Sequence, residues 1–298
     1  MERRVLRFAA ILCALCVSLP AAAGSDKPLV VFVGDSVTAG RPTGREDYAP
    51  SDAAVPSGLA AGSYGYVEAL VEGTLSTDVP YRFQKLGSGG QAITGWIGIC
   101  CRRILGKRDR VVRELPALLV VQDNYYPPDE QAKQKLRDAL GEMAGLAATA
   151  GVRLAWCTVG IEPGGTFVRK TKLSDVEAVN ALFMEEGKKH SVPVIRLDIA
   201  WKRYIERFKD RQPARDWWLT RHGKLFDGAH PGRVGAYFQA LVFARELGIP
   251  AEKFDQTVPA LAMEKSQADE IKAFVYSLKE PALLAQEDVR QTAEGERP

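Results

Sequence analysis

The chain has 298 residues, 46% of them hydrophobic, and a formal net charge of +3. That composition is ordinary for a folded globular protein, and so small a net charge asks for no nucleic acid and no membrane surface. Five cysteines in this length exclude a disulfide-stapled scaffold.

Residues 1–23 read as a secretory signal peptide. Arg3, Arg4 and Arg7 give a positive start, residues 9–19 form a short apolar run, and Ala21, Ala22 and Ala23 follow Pro20. The run falls short of the about 20 residues that span a bilayer. The expectation is cleavage near Ala23 and a secreted or periplasmic protein without stable membrane insertion; an uncleaved anchor is the alternative. Cleavage removes three arginines and Glu2, which takes the charge from +3 to +1. Cys100, Cys101 and Cys157 remain. In an oxidising compartment one disulfide is possible among them, and Cys157, in an apolar run, is equally a candidate buried thiol. No Cys/His spacing resembles a metal site.

From residue 26 onward the chain alternates. Residues 29–33 are a continuous apolar run ending at Gly34, the pattern of a buried strand. Residues 41–63 are rich in Gly, Pro, Ala and Ser and predict a loop, placed to shape a ligand site. Residues 66–75 carry apolar side chains at helical spacing, and residues 81–86 predict a strand ending at Gly87. A basic stretch around Arg102, Arg103, Lys107, Arg108, Arg110 and Arg113 predicts a solvated helix that carries Val111 and Leu115 and stops before Pro116. Residues 117–121 predict a strand, and residues 130–150 a long helix closed by Gly151. A strand over 152–159 precedes a helix over 173–190, capped by Ser174 or Asp175. A strand over 192–197 and a helix over 233–247 closed by Gly248 complete the pattern.

Five continuous apolar strands between amphipathic helices predict a parallel sheet covered on both faces, a three-layer α/β/α domain over 26–250. Residues 251–298 predict one or two peripheral helices and a polar, mobile tail after Pro281.

Three segments fall just after expected strands: Gly34-Asp35-Ser36-Val37, Gly87-Ser88-Gly89-Gly90 and Gln122-Asp123-Asn124-Tyr125. A fourth, Asp227-Gly228-Ala229-His230-Pro231, falls before the last core helix. A serine hydroxyl is a poor nucleophile until a base takes its proton during attack. Ser36 follows a glycine that lets the chain turn tightly at the strand's end. Of the three histidines past the leader, His190 sits at the wrong edge of the sheet and His222 lies in a polar loop. His230 follows Asp227 by three residues, so one carboxylate can hold one ring N–H and leave the other nitrogen free as base. Acyl transfer also needs donors for the developing oxyanion. The Ser36 backbone N–H, the Gly90 N–H and the Asn124 side-chain amide stand at suitable places.

In their order along the chain these four segments resemble the four blocks of the SGNH hydrolases, also called the GDSL esterase/lipase family. The resemblance runs from about Leu29 to Leu247. It implies a five-stranded flavodoxin-like sheet, a Ser36–His230–Asp227 triad and an oxyanion hole of Ser36, Gly90 and Asn124. The third block departs from the usual Gly-x-Asn-Asp: Gln122 replaces the glycine and Tyr125 the aspartate. Asn124 could then be only a loop-capping residue. Asp35 is expected to shape the turn. Trp217, Trp218, Tyr125 and Tyr126 could line a cleft or pack locally.

The activity expected is ester hydrolysis through an acyl-Ser36 intermediate, without metal or cofactor, on a small-molecule or carbohydrate ester. Acyl transfer to a sugar uses the same intermediate and is an alternative; binding of a glycan without turnover is another. A third starts from Gly87-Ser88-Gly89-Gly90-Gln91-Ala92, which fits a dinucleotide-binding fingerprint but follows the second strand, not the first.

Overall fold

The computed structural model describes residues 27–40, 65–74, 78–87, 91–106, 112, 114–123, 126–127, 129–163, 172–211, 217–220, 228–254, 261 and 263–279. The leader, the loop expected over 41–63 and the tail after Pro281 lie outside them.

The five expected strands form one sheet: β1 (Leu29–Gly34), β2 (Arg82–Gly87), β3 (Leu118–Gln122), β4 (Arg153–Cys157) and β5 (Val194–Ile195). Every pairing is parallel and the spatial order is β2-β1-β3-β4-β5. The helices are α1 (Ser36–Ala39), α2 (Tyr66–Thr74), α3 (Gly98–Leu105), which continues a π-turn over Ile93–Ile97, α4 (Glu130–Ala150), α5 (Leu173–His190), α6 (Leu197–Arg207), α7 (Arg233–Glu246) and α8 (Lys265–Ser277). A short 3-10 turn, Ala251–Lys253, precedes α8.

Strand side chains alternate between the two faces, and each face has its own core. Val30, Phe32, Leu118, Val120, Ala155 and Cys157 pack against α2, α6, α7 and α8. Val31, Val33, Leu119, Val121, Leu154 and Trp156 pack against α3, α4 and α5. This is the three-layer α/β/α sandwich, and it explains why β1 is apolar at every position: both faces are dry. α7 is buried nearly all round, packed against the sheet, α2, α6 and α8. α8 adds Ala268, Ile271 and Val275 to that core. No helix among the described residues is long and apolar enough to cross a membrane.

Four expectations are corrected. The helix of the basic stretch is described over Gly98–Leu105, with Ile93, Ile97, Cys101, Ile104 and Leu105 as its apolar stripe and Arg102 and Arg103 facing solvent; Leu115 is not helical, and Lys107, Arg108, Arg110, Val111 and Arg113 lie outside the described residues. The strand expected over 192–197 shortens to Val194–Ile195, and its end opens a helix. Leu197, Ala200, Trp201 and Tyr204 recur at helical spacing and are buried, and Arg196 holds Asp198 through Nε–Oδ1 and Nη2–Oδ2 bonds of 2.8 and 2.7 Å as the chain turns. The cap of α5 is Lys172 with no side-chain bond, so Ser174 and Asp175 lie inside the first turn. Cys100, Cys101 and Cys157 are all free and buried, so the possible disulfide among them does not form. The stop at Gly151 is as expected, a left-handed residue with φ of 67°.

A buried ion pair sits beneath the edge of the sheet. Lys85 Nζ meets Glu68 Oε1 and also donates to the Ala39 carbonyl at 2.8 Å. Glu68 Oε2 accepts the Gly65 N–H at 2.8 Å. The pair therefore ties Ala39 to Gly65, across a chain excursion of two dozen residues. Burial pushes the Glu68 carboxyl above its ordinary range and the Lys85 amine below its own, and each partner opposes the other's shift. Removing one partner leaves the other charged in a dry place, which costs about 3–5 kcal/mol. Lys85→Met should lose about that much stability in urea unfolding, and adding Glu68→Gln should restore more than half of it. A neutral Lys85→Met would show that the pair carries no such constraint.

Candidate active site

β1 lies second from the edge of the sheet, between β2 and β3, and ends at Gly34. The chain leaves β1 toward β2 on one side and returns to β3 on the other, so a crevice opens at the carboxyl ends of β1 and β3. The turn there is tight. A Cβ on Gly34 would stand 2.2 Å from Thr38 Oγ1 and 2.8 Å from the Gln122 carbonyl oxygen. Only glycine leaves room for α1 to fold back this closely.

Asp35 is the N-cap of α1. Its Oδ1 accepts the Val37 N–H at 2.9 Å, and its backbone carbonyl accepts the Ala39 N–H at 2.8 Å. Asp35 thus shapes the turn as expected, and Ser36 becomes the first residue of the helix. The hydroxyl of Ser36 is spared capping duty. Its Oγ lies 2.7 Å from His230 Nε2, across 194 residues of sequence. In the neutral imidazole tautomer with the proton on Nδ1, the hydroxyl donates to Nε2. Ser36 is 8% exposed and His230 half-buried, so the pair is shielded yet reachable.

α1 is braced from below. Tyr66 and Thr38 join hydroxyls at 3.0 Å, and Thr38 Oγ1 donates to Gln122 Oε1 at 3.1 Å. Gln122, standing where the resemblance has glycine, turns its side chain inward and fastens β3 to α1. The next residue, Asp123, accepts the Ile93 N–H on Oδ2 at 2.8 Å. A carboxylate at the first turn of the Ile93–Ile97 helix satisfies a donor that has no partner within the helix. Sequence reading missed both Gln122 and Asp123 as braces; their only signal was polarity at the end of an apolar strand.

His230 is carried by the segment 228–232. Gly228 has φ of 78°, Thr220 and Pro231 form an antiparallel bridge, and the Gly232 N–H donates to the Leu219 carbonyl at 2.8 Å. The structure thus brings Ser36 and His230 together. Asp227, Gly90 and Asn124 lie outside the described residues, as do His222 and Tyr125. His190 ends α5, before β5, and so stands at the opposite edge of the parallel sheet, 3.2 Å from Glu186 Oε2. Trp217 packs against Phe208 with centroids 5.0 Å apart and rings tilted by 35°, and it lies under Arg211, which is local packing. Tyr126 packs, partly buried, against the core on the α3, α4 and α5 face; burial raises its phenol pKa, and the charges of Asp35 and Asp123 raise it further. Burial likewise raises the Cys157 thiol well above its ordinary value, which keeps it protonated and unreactive.

No family model matches the chain, and no curated protein matches it in sequence. Solved structures do match in fold. An α/β hydrolase enzyme from the metagenome of Lake Arreo is 18% identical with a TM-score of 0.52, over 74% of this chain and 95% of that one. A catalytic mutant of an acetylxylan esterase from Geobacillus stearothermophilus is 16% identical with a TM-score of 0.52, over 77% and 98%. A lipase/acylhydrolase from Enterococcus faecalis is 18% identical with a TM-score of 0.50, over 74% and 95%. The chain shares their α/β fold across most of its length.

The cap on α1 is directly testable. Asp35→Ala should lower stability by about 0.5–2 kcal/mol in urea unfolding, and Asp35→Asn should recover most of that. An Ala variant as stable as the parent would remove Asp35 from the turn's support.

Proposed function

We propose that this chain is a serine ester hydrolase of the SGNH type, with Ser36 as nucleophile and His230 as general base. The observation that carries the reading is the 2.7 Å contact between Ser36 Oγ and His230 Nε2 at the carboxyl end of β1. The fold shared with esterases and acylhydrolases supports it.

As Ser36 Oγ attacks the ester carbonyl, its proton passes to Nε2 and the carbonyl oxygen takes the negative charge. Asp227 holds Nδ1–H and stabilises the imidazolium. The N–H groups of Ser36 and Gly90 and the Asn124 amide hold the oxyanion. The tetrahedral species collapses, the imidazolium gives its proton to the departing alkoxide, and an alcohol leaves. Water then attacks acyl-Ser36 with His230 again as base, and a carboxylic acid and free Ser36 result. None of these steps uses a metal or a cofactor.

The substrate class we propose is short acyl esters on carbohydrate. The acetylxylan esterase that shares the fold is named for such a substrate. The leader proposed over residues 1–23 would deliver the enzyme to where acetylated polysaccharides occur, and N-terminal sequencing of exported protein should begin at Gly24.

A fluorophosphonate probe tests the nucleophile. Wild type should be labelled, and Ser36→Ala and His230→Ala should each lose about 10⁴-fold or more in labelling rate. Unlabelled wild type would reject the hydrolase reading. On nitrophenyl esters, acetate should be hydrolysed faster than octanoate, and the reverse order would reject the short-acyl assignment. Acetate release from acetylated xylo-oligosaccharides checks the carbohydrate part.

A further inference from the structure

We infer that Glu162 is a positioning residue that holds His230 against Ser36. The inference rests on the hydrolase reading above, and it concerns a side chain with no part in the chemistry itself.

Glu162 is a buried acid, 3% exposed, in the stretch that follows β4. Burying a carboxylate costs several kcal/mol unless hydrogen bonds replace its water. Thr220 supplies two of them. Glu162 Oε2 accepts both the Thr220 N–H at 2.9 Å and the Thr220 hydroxyl at 2.7 Å. Thr220 in turn bridges Pro231, the residue after His230. The Glu162 backbone N–H donates to the Gly228 carbonyl at 2.8 Å, two residues before His230. One residue therefore grips the His230 segment on both sides, by its main chain ahead of the imidazole and through Thr220 behind it.

A grip positions only if its own base is fixed, and this one is. The Thr158 N–H donates to the Ile195 carbonyl at 2.9 Å, and the Thr158 hydroxyl donates to Asp198 Oδ1 at 2.6 Å. The Val159 N–H donates to Asn180 Oδ1 at 2.8 Å, and Asn180 Nδ2 donates back to the Val159 carbonyl at 3.1 Å. Gly160 lies flat on the Trp201 indole, where a Cβ would stand 2.5 Å from the ring. The stretch between β4 and Glu162 is thus pinned to α5 and α6. Position is transmitted from the sheet through this shelf to Glu162, then to Thr220 and to His230.

Nitrophenyl acetate turnover by wild type, Ser36→Ala, Glu162→Ala, Glu162→Gln and Thr220→Val tests the assignment. Misplacing the base should lower kcat and leave KM alone, since no substrate contact is lost. Glu162→Ala should lose about 10–100-fold in kcat with KM changed less than about twofold. Glu162→Gln keeps one carbonyl oxygen for both Thr220 donors and should return to within about threefold of wild type. Thr220→Val, which removes one bond and keeps the volume, should lose about 3–10-fold in kcat, and it decides the matter if Glu162→Ala does not fold. A folded Glu162→Ala with wild-type kcat would overturn the inference, as would Thr220→Val with wild-type kcat. Equal loss in Gln and Ala would also overturn it, assigning the effect to charge. If Ser36-dependent turnover is present and only these variants behave like wild type, the hydrolase reading stands alone. If wild type shows no Ser36-dependent turnover, both fall.

Discussion

Val30 to Val33 have no exposed surface on either side of the sheet, so β1 can deliver a functional group only at its end. The constraint comes from the parallel pairing. Crossover helices must cover both faces, which leaves only the strand edges and ends for chemistry. Everything around Ser36 follows from where β1 stops. Gly34 lets the chain reverse, Asp35 closes the first turn of α1, and the Ser36 hydroxyl is left facing His230.

The polar groups beneath that turn are few and paired. Tyr66, Thr38 and Gln122 form one chain of hydrogen bonds from α2 through α1 to β3. Asp123 joins β3 to the helix that follows β2. Lys85 and Glu68 join Ala39 to Gly65. Apart from the Gly65–Glu68 bond at the start of α2, each bond spans two elements, and each buried donor or acceptor left unmet would cost about 1–3 kcal/mol. Such a site is stiff because moving any one element breaks bonds in another. The His230 side is built the same way, with Glu162 and Thr220 in place of Gln122 and Thr38.

The order of elements was legible because their apolar patterns are strong. Continuous runs at 29–33 and 117–121 admit a buried strand, and Gly151 marks the end of α4 without ambiguity. The errors fall where two patterns overlap. Val192 to Leu197 reads as apolar at every position but Arg196, yet Leu197 belongs to the stripe it shares with Trp201 and Tyr204. The basic stretch drew attention by charge, while the helix was fixed by Ile93, Ile97 and Ile104 upstream. Gln122 reads in sequence as a departure from a glycine; in three dimensions it is a partner for Thr38, a relation no local pattern encodes.

By itself the sequence determined the class of fold, the tight turn after β1 and the two residue types that an acyl-transfer site needs at its centre. It did so because periodicity and glycine placement are local properties, set by backbone sterics and by which faces must be dry. Only the tertiary structure decided that Ser36 and His230 meet at 2.7 Å, that Asp35 and not Ser36 caps α1, and that Glu162 grips the His230 segment. Those are contacts between distant parts of the chain. Their geometry comes from the stacking of whole elements on the sheet, which no single stretch of residues contains.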